Sequence, residues 1–308
     1  MKLKYIKIII LVTAFFLTNL ANSFALEFHN ENVDLKLRPS FGFRMDDLEW
    51  SIADKDGHPN ILSELEFNDL FILQAGIDFN LSIHELYFRS TLNYGEIIDG
   101  ICTDSDYNLD NRNGLFSRSE SKINNDNIKD ISLGFGYQFY LRHKKVKITP
   151  LFGISEHTQN LRITNGVQTF PYLGTIPGLN STYQSKWSGG WFGMDILFKP
   201  AGRFFLTSSL EFHTANYKAK ADWNLRDDFD HPVSYTHKAK GNGIVFKAGL
   251  NIIFGKHWNA GLENIWQDWW TDSGIDKVYL STGETVSTKL NQVNWESKSI
   301  NLFLSYKF

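Results

Sequence analysis

Apolar and polar residues alternate along this chain in repeated runs. Phe71, Leu73, Ala75, Ile77 and Phe79 alternate with Ile72, Gln74, Gly76, Asp78 and Asn80. Leu86, Phe88, Leu92 and Tyr94 alternate with Arg89, Thr91 and Asn93. Ile131, Leu133, Phe135, Tyr137, Phe139 and Leu141 follow the same rule, as do Ile244, Phe246, Ala248, Leu250, Ile252 and Phe254. Ile300, Leu302, Leu304, Tyr306 and Phe308 repeat it at the end of the sequence, with Phe303 as the one break. Successive side chains of a strand point to opposite faces, so each run predicts a strand with one greasy and one wet face. Runs at 35–45 and near 147–163, 185–198, 203–222 and 259–271 are less regular but compatible. With these the pattern predicts ten strands.

The connections sort into two kinds. Tight ones fall near 81–84, 142–145, 199–202 and 255–258. Long ones fall at about 46–62, 100–126, 164–184, 223–240 and 272–293, and the two kinds alternate strictly. All long connections therefore lie at one end. An even strand number, short turns on one side and long loops on the other are what a single-chain transmembrane barrel requires. A soluble β-sandwich would leave both the loop alternation and the many apolar faces unexplained. The expected fold class is all-β, a ten-stranded antiparallel transmembrane β-barrel with five long extracellular loops. Backbone groups in lipid must all be bonded, so such a sheet must close.

The beginning of the chain agrees with export. Lys2, Lys4 and Lys7 precede an apolar run over residues 8–17 and then Ser23-Phe24-Ala25. A charged segment, a short apolar core and a small-x-small site are the marks of a signal peptide, here residues 1–25. The apolar run is short of the roughly 20 residues that a spanning helix needs. The barrel is then expected over 26–308, in the outer membrane of a Gram-negative cell. Its close on Phe308 fits a last strand that faces lipid and seals the cylinder.

Composition adds little more. Aromatics make up 15% of the residues, enough for the girdles barrels carry at the water–lipid interfaces. A net charge of −3 gives no reason to expect nucleic acid as a partner. Cys102 is the only cysteine, which excludes an internal disulfide and assigns it no role.

Candidate chemistry lies in the long connections. Asp104-Ser105-Asp106-Tyr107 places two carboxylates on one face of an extended segment. Close carboxylates repel until one is protonated or a cation joins them, so the pair suits holding and polarising water. Asp104, Asp106 and Asn108 also mimic the first ligands of a calcium loop. Leu109 and Leu115 stand where that loop needs Gly and Glu, so no metal site is expected. A solvated acidic loop is the bland alternative.

Several segments together resemble the omptin family, ten-stranded outer-membrane proteases. They are Ser63-Glu64-Leu65-Glu66-Phe67 with Gly76-Ile77-Asp78-Phe79, Asp104-Ser105-Asp106-Tyr107, Gly153 to Glu156, and Ser305 to Phe308. Their order and spacing carry the resemblance. It implies an endopeptidase in which Asp104 and Asp106 position water, with Asp46 and Asp222 receiving a basic substrate side chain. The family's Asp-x-His base is missing. In an ungapped register Asn224 and Arg226 stand in its place, and neither is a general base. A shifted register offers Asp228 and His231. His231 is read three ways: a solvated loop histidine, a displaced base, or a metal ligand. His237 is a weaker substitute for the base, and His213 is expected on a strand.

Family membership also implies lipopolysaccharide as partner and activator, with no other cofactor. Glu156 matches the segment that binds it, but Thr158 replaces an expected arginine. The stretches 118–120, 178–187 and 223–231 are similar to a second group, the Protochlamydia outer-membrane proteins. Two functions follow as expectations: an omptin-like endopeptidase acting on polypeptide, or a non-catalytic barrel for adhesion or display. A narrow pore is a weaker third, since a barrel of this size is readily filled by its own side chains.

Overall fold

The computed structural model describes residues 33–141, 145–200 and 202–308. The export signal expected over 1–25 lies outside them. The strands are β1 (Val33–Ile52), β2 (Ser63–Ile83), β3 (Leu86–Leu109), β4 (Asn113–Ile123), β5 (Asp126–Tyr137), β6 (Phe139–Leu141) and β7 (Val146–Phe170). They continue as β8 (Tyr172–Thr175), β9 (Asn180–Phe198), β10 (Phe204–Asp222), β11 (Tyr235–Ile253), β12 (Trp258–Thr271), β13 (Gly274–Tyr279) and β14 (Thr285–Lys307).

β4 and β5 both lie between β3 and β7, so they form one stave interrupted at Asn124–Asn125. β12 and β13 likewise share the place between β11 and β14. β6 prolongs the β5 stave along β7, and β8 folds back on β7. The described residues thus make ten staves. β14 pairs with β1, with Leu302 opposite Phe41 and Trp295 opposite Leu48, and the ring closes. Closure pairs both edges of the ten-stave sheet, and lipid would not tolerate them open.

The ten expected strands are present, but most are longer than the alternation alone suggests. Much of what reads as loop is hairpin: β3 runs on to Leu109, β4 fills 113–123, and β14 begins at Thr285. The reason lies in the outward face. Phe41, Phe43 and Met45 on β1, Phe192 and Met194 on β9, and Leu206, Leu210 and Phe212 on β10 form an exposed apolar belt. Beyond the belt, outward positions turn polar, as at Asp47 and Glu49 on β1 or Lys218 and Lys220 on β10. The wall still alternates there, but against water, so no greasy face marks it. A belt strand needs only about 9–11 residues; the remainder of each long strand stands outside the membrane.

Inward positions fill the lumen. At the belt they are charged and satisfied. Arg38 bonds Asp78 and Glu263, while Arg89 bonds Asp195 and Glu211. Arg44 joins Asp46 to Asp130. Above them comes an aromatic layer: Trp269 stacks on Trp295 with centroids 5.5 Å apart, and Trp187 packs 5.7 Å from Trp269. Gly243 is required here, because a Cβ would collide with the Trp269 ring. Trp50, Tyr183, Tyr217, Tyr235, Leu65 and Phe67 continue the packing toward the long-connection end. The interior is a core and not a channel.

Candidate functional site at the outer mouth

Asp104 and Asp106 do lie on one face, but of a strand and not of a loop. Both belong to β3, and they point inward with the buried Cys102 below them. β2 and β4 flank them: Leu65 and Ser119 stand beside Asp104, and Ser63 and Ser117 beside Asp106. The Ser63 and Ser117 hydroxyls donate to Asp106. Asp104 has Leu65 on one side and no such donors. Burial, and then the charge of Asp106, push its carboxyl up to about 8. Burial also raises Asp106, against the two serine bonds. At neutral pH Asp104 therefore keeps its proton. Cys102, packed in the core, has its thiol pushed far up by burial and is inert.

The cation whose charge reaches this pair is an arginine. Arg226, from the connection between β10 and β11, is the cation that acts on both Asp104 and Asp106. It is not bonded to them. Its Nε and one terminal nitrogen donate to Asp228 at 2.8 and 2.7 Å, and its guanidinium lies 4.1 Å from the centre of the Phe229 ring. Asp228, held low by that contact, is the partner of Arg226 and not of a histidine. Asn224 is a clasp: its side-chain oxygen accepts from the Asn180 backbone and the Ser181 hydroxyl, and its amide donates to the Gly178 carbonyl.

His231 sits elsewhere on the same connection. Its Nδ1 lies 2.6 Å from Asp222 Oδ1, and that bond raises its titration above the usual histidine value. Both side chains are partly exposed. Asp222 is thus engaged by His231. Asp46 is more fully committed. Its oxygens accept from Arg44 at 2.6 and 2.7 Å, from Gln159 at 3.2 Å and from Trp295 Nε1 at 3.1 Å, in a fully buried site. Such a carboxylate, fully buried and bonded by three side chains, is closed to a substrate side chain. Among the described residues no imidazole is hydrogen-bonded to Asp104 or Asp106, and no cluster of three metal-type ligands exists.

Three histidines are more deeply placed, His157 beside Asp130 among them. His213, on β10 as expected, bonds Glu211 and Ser155 within the lumen. His237, on β11, lies 3.2 Å from Asp276 and 3.0 Å from the Tyr183 hydroxyl, fully buried beneath Trp50. Nothing in the local sequence marks the His237–Asp276 pair, because its members come from different staves, 39 positions apart.

On the outer wall Glu156 accepts from Lys186 at 2.9 Å. Lys186 is the cross-strand neighbour of Thr158, so β9 supplies the basic group that β7 lacks. It also opens a row missed in the sequence. Lys186, Lys218 and Lys238 stand directly side by side on β9, β10 and β11, with Lys220 and Lys240 nearby. The row is legible only once the register of three strands is known.

No curated protein sequence matches the chain. Among solved structures, the outer membrane protease OmpT from Escherichia coli superposes with a TM-score of 0.74 at 12% identity, over 89% of this chain and 97% of that one. At that identity the likeness shows the fold. The translocator domain of the autotransporter NalP from Neisseria meningitidis is a more distant match, at 10% identity over 96% of this chain and 95% of that one, with a TM-score of 0.39. Residues 39–308 match the sequence profile described as Protochlamydia outer membrane protein. The chain belongs to that family of outer-membrane β-barrels, built on the fold of the omptins.

Proposed function

We propose that this barrel is a non-catalytic surface protein that keeps the acidic mouth of an omptin fold and uses it to bind. The observation that carries the reading is Arg226. The charged group brought toward Asp104 and Asp106 is a cation that cannot accept a proton, so the pair lacks a base to activate water. A cation that joins the pair favours its ionised form, which suits a basic segment of a partner polypeptide.

The outer wall supports a lipid partner. Like charges directly opposite on neighbouring strands repel, so the Lys186–Lys218–Lys238 row is stabilised when an anion bridges it. It lies just beyond the apolar belt, at the level of headgroup phosphates, and lipopolysaccharide supplies such groups.

One observation favours the endopeptidase instead: the 2.6 Å contact of His231 with Asp222 gives an oriented imidazole on the connection that borders the mouth. The refolded barrel, with and without lipopolysaccharide, separates the two readings when offered fluorogenic peptides carrying paired basic residues. No turnover is expected. The double substitution Asn224→Asp with Arg226→His removes the cation and supplies an imidazole and a carboxylate in its place, and is expected to create measurable cleavage. Wild-type cleavage that falls a hundredfold or more in Asp104→Asn, Asp106→Asn and His231→Ala would replace the binding reading, since general-base help is worth about 10²–10⁴.

A further inference from the structure

The opposite end of the lumen holds a cavity of about 480 Å³. It lies at the short-turn end, beneath the Arg38 and Arg89 clusters, and the packed core separates it from the mouth. Short turns face the periplasm in barrels of this kind. Its walls carry Lys36, Lys147, Lys199, Lys247, Lys256 and Lys307 in addition to the two arginines. The carboxylates that line it are fewer, and most are already used. Asp78 and Glu263 hold Arg38, and Asp195 holds Arg89. Asp34 is shared between Lys36 at 3.7 Å and Lys307 at 2.8 Å.

That leaves a surplus of positive charge in one place. Lys36 and Lys307 are direct cross-strand partners on β1 and β14, a like-charge pair across the closing seam. Lys36, Lys147 and Lys199 repel one another through the cavity. Among the described residues no carboxylate lies within 4 Å of Lys147, Lys199 or Lys256; Lys147 and Lys199 rest instead on the Tyr87 and Phe205 rings. Three unpaired ammonium groups, on staves fixed by the barrel, converge on a space large enough for a small molecule. The flexible lysines carry the surplus while the rigid arginine forks are already satisfied, which is the arrangement for holding phosphate oxygens as point charges.

We propose that this vestibule is a binding site for a small polyvalent anion of the phosphate type, entering from the periplasmic side. The site is independent of the mouth and of whether the mouth cleaves anything.

The test uses the refolded barrel in a zwitterionic detergent, with inorganic pyrophosphate as probe and isothermal titration calorimetry as readout. Saturable binding at one site per barrel is expected, weakening as salt is raised. Lys147→Gln should lower the affinity at least tenfold, and Lys199→Gln, at a strand end where folding is less at risk, several-fold. Lys55→Gln, an exposed residue of the connection between β1 and β2 that lines neither the cavity nor the outer row, should leave it unchanged. Absence of binding by the wild type, or affinity kept in both Lys147→Gln and Lys199→Gln, would overturn the proposal.

Discussion

Two clusters in this barrel are made from the same parts, two aspartates and an arginine, and behave oppositely. In the lumen, Arg44 is bonded to Asp46 by two nitrogens and to Asp130 by a third, at 2.6–2.7 Å. Asp130 also contacts His157, while Gln159 and Trp295 complete Asp46. Every charge there has a partner in contact. At the mouth, Arg226 faces Asp104 and Asp106 without touching either, and gives its hydrogen bonds to Asp228. The difference follows from position. Arg44, Asp46 and Asp130 are inward residues of strands that meet in a closed barrel, so geometry forces them together. Arg226 rides on an irregular connection, so its distance to the pair is set by weak local contacts. The lumen cluster is part of the fold, and the mouth pair has no cation in contact with it.

Removing the arginines is the sharpest way to break this contrast. Arg44→Met leaves two buried carboxylates without a cation, which costs about 3–5 kcal/mol when one partner of a buried pair is lost. The measurement is urea unfolding of the heat-modifiable band on gels. A barrel that kept its stability in this variant would show that water reaches the cluster. Arg226→Met, judged by the same assay, should change stability by under about 1 kcal/mol, since a half-exposed pair contributes little.

The pH dependence of stability should belong to the mouth. Asp104 titrates at about 8 in the folded barrel, far above an unfolded aspartate. Between roughly pH 4 and 8 the unfolded chain ionises this group and the folded barrel does not, so stability falls as pH rises through that window. Below the window both states are protonated and the penalty vanishes. Asp104→Asn should flatten the decline. An unchanged slope in that variant would mean Asp104 is ionised and bonded to something at neutral pH.

The same division decides what could be read from the sequence. The ten staves were legible because lipid demands an apolar outward face and the lumen tolerates polar residues, which writes period-two alternation into the chain. The shared face of Asp104 and Asp106 follows from that period alone. The upper wall of β1 was not legible as strand, because Asp47 and Glu49 face water and the alternation with the inward Leu48 and Trp50 has no greasy outward side to mark it. The Asp-x-His gap and the ungapped place of Arg226 were visible, but its bond to Asp228 depends on how residues 223–234 fold. His237 with Asp276 and the Lys186–Lys218–Lys238 row come from distant segments brought into register, which no local pattern records.

Removing Arg226 also acts on the pair itself. Its charge now lowers both carboxyls at the mouth against burial. Arg226→Gln should therefore move the carboxyl titration of Asp104 further up. Carboxyl infrared bands followed against pH read this directly, and the Asp104→Asn variant identifies the band. No movement would place Arg226 too far away to matter and would weaken the account of the mouth as a pair facing a cation.

The smallest effect concerns His231. Its bond to Asp222 at 2.6 Å is the first cause of its raised titration, ahead of the neighbouring charge of Asp227. A histidine with a raised folded value gains stability that is fully present below its unfolded value and is lost as pH rises through the folded one. Both groups are exposed, so solvent and salt screen the contact. Asp222→Asn should bring the imidazole titration back toward the usual value near 6.5, as followed by its ring proton resonances, and leave the barrel's unfolding unchanged. If the imidazole instead kept its raised value in Asp222→Asn and dropped in Asp104→Asn, His231 would be working with the carboxylate pair. The mouth would then hold the base that its static geometry withholds, and the contrast with the lumen cluster would be one between a structural site and a catalytic one.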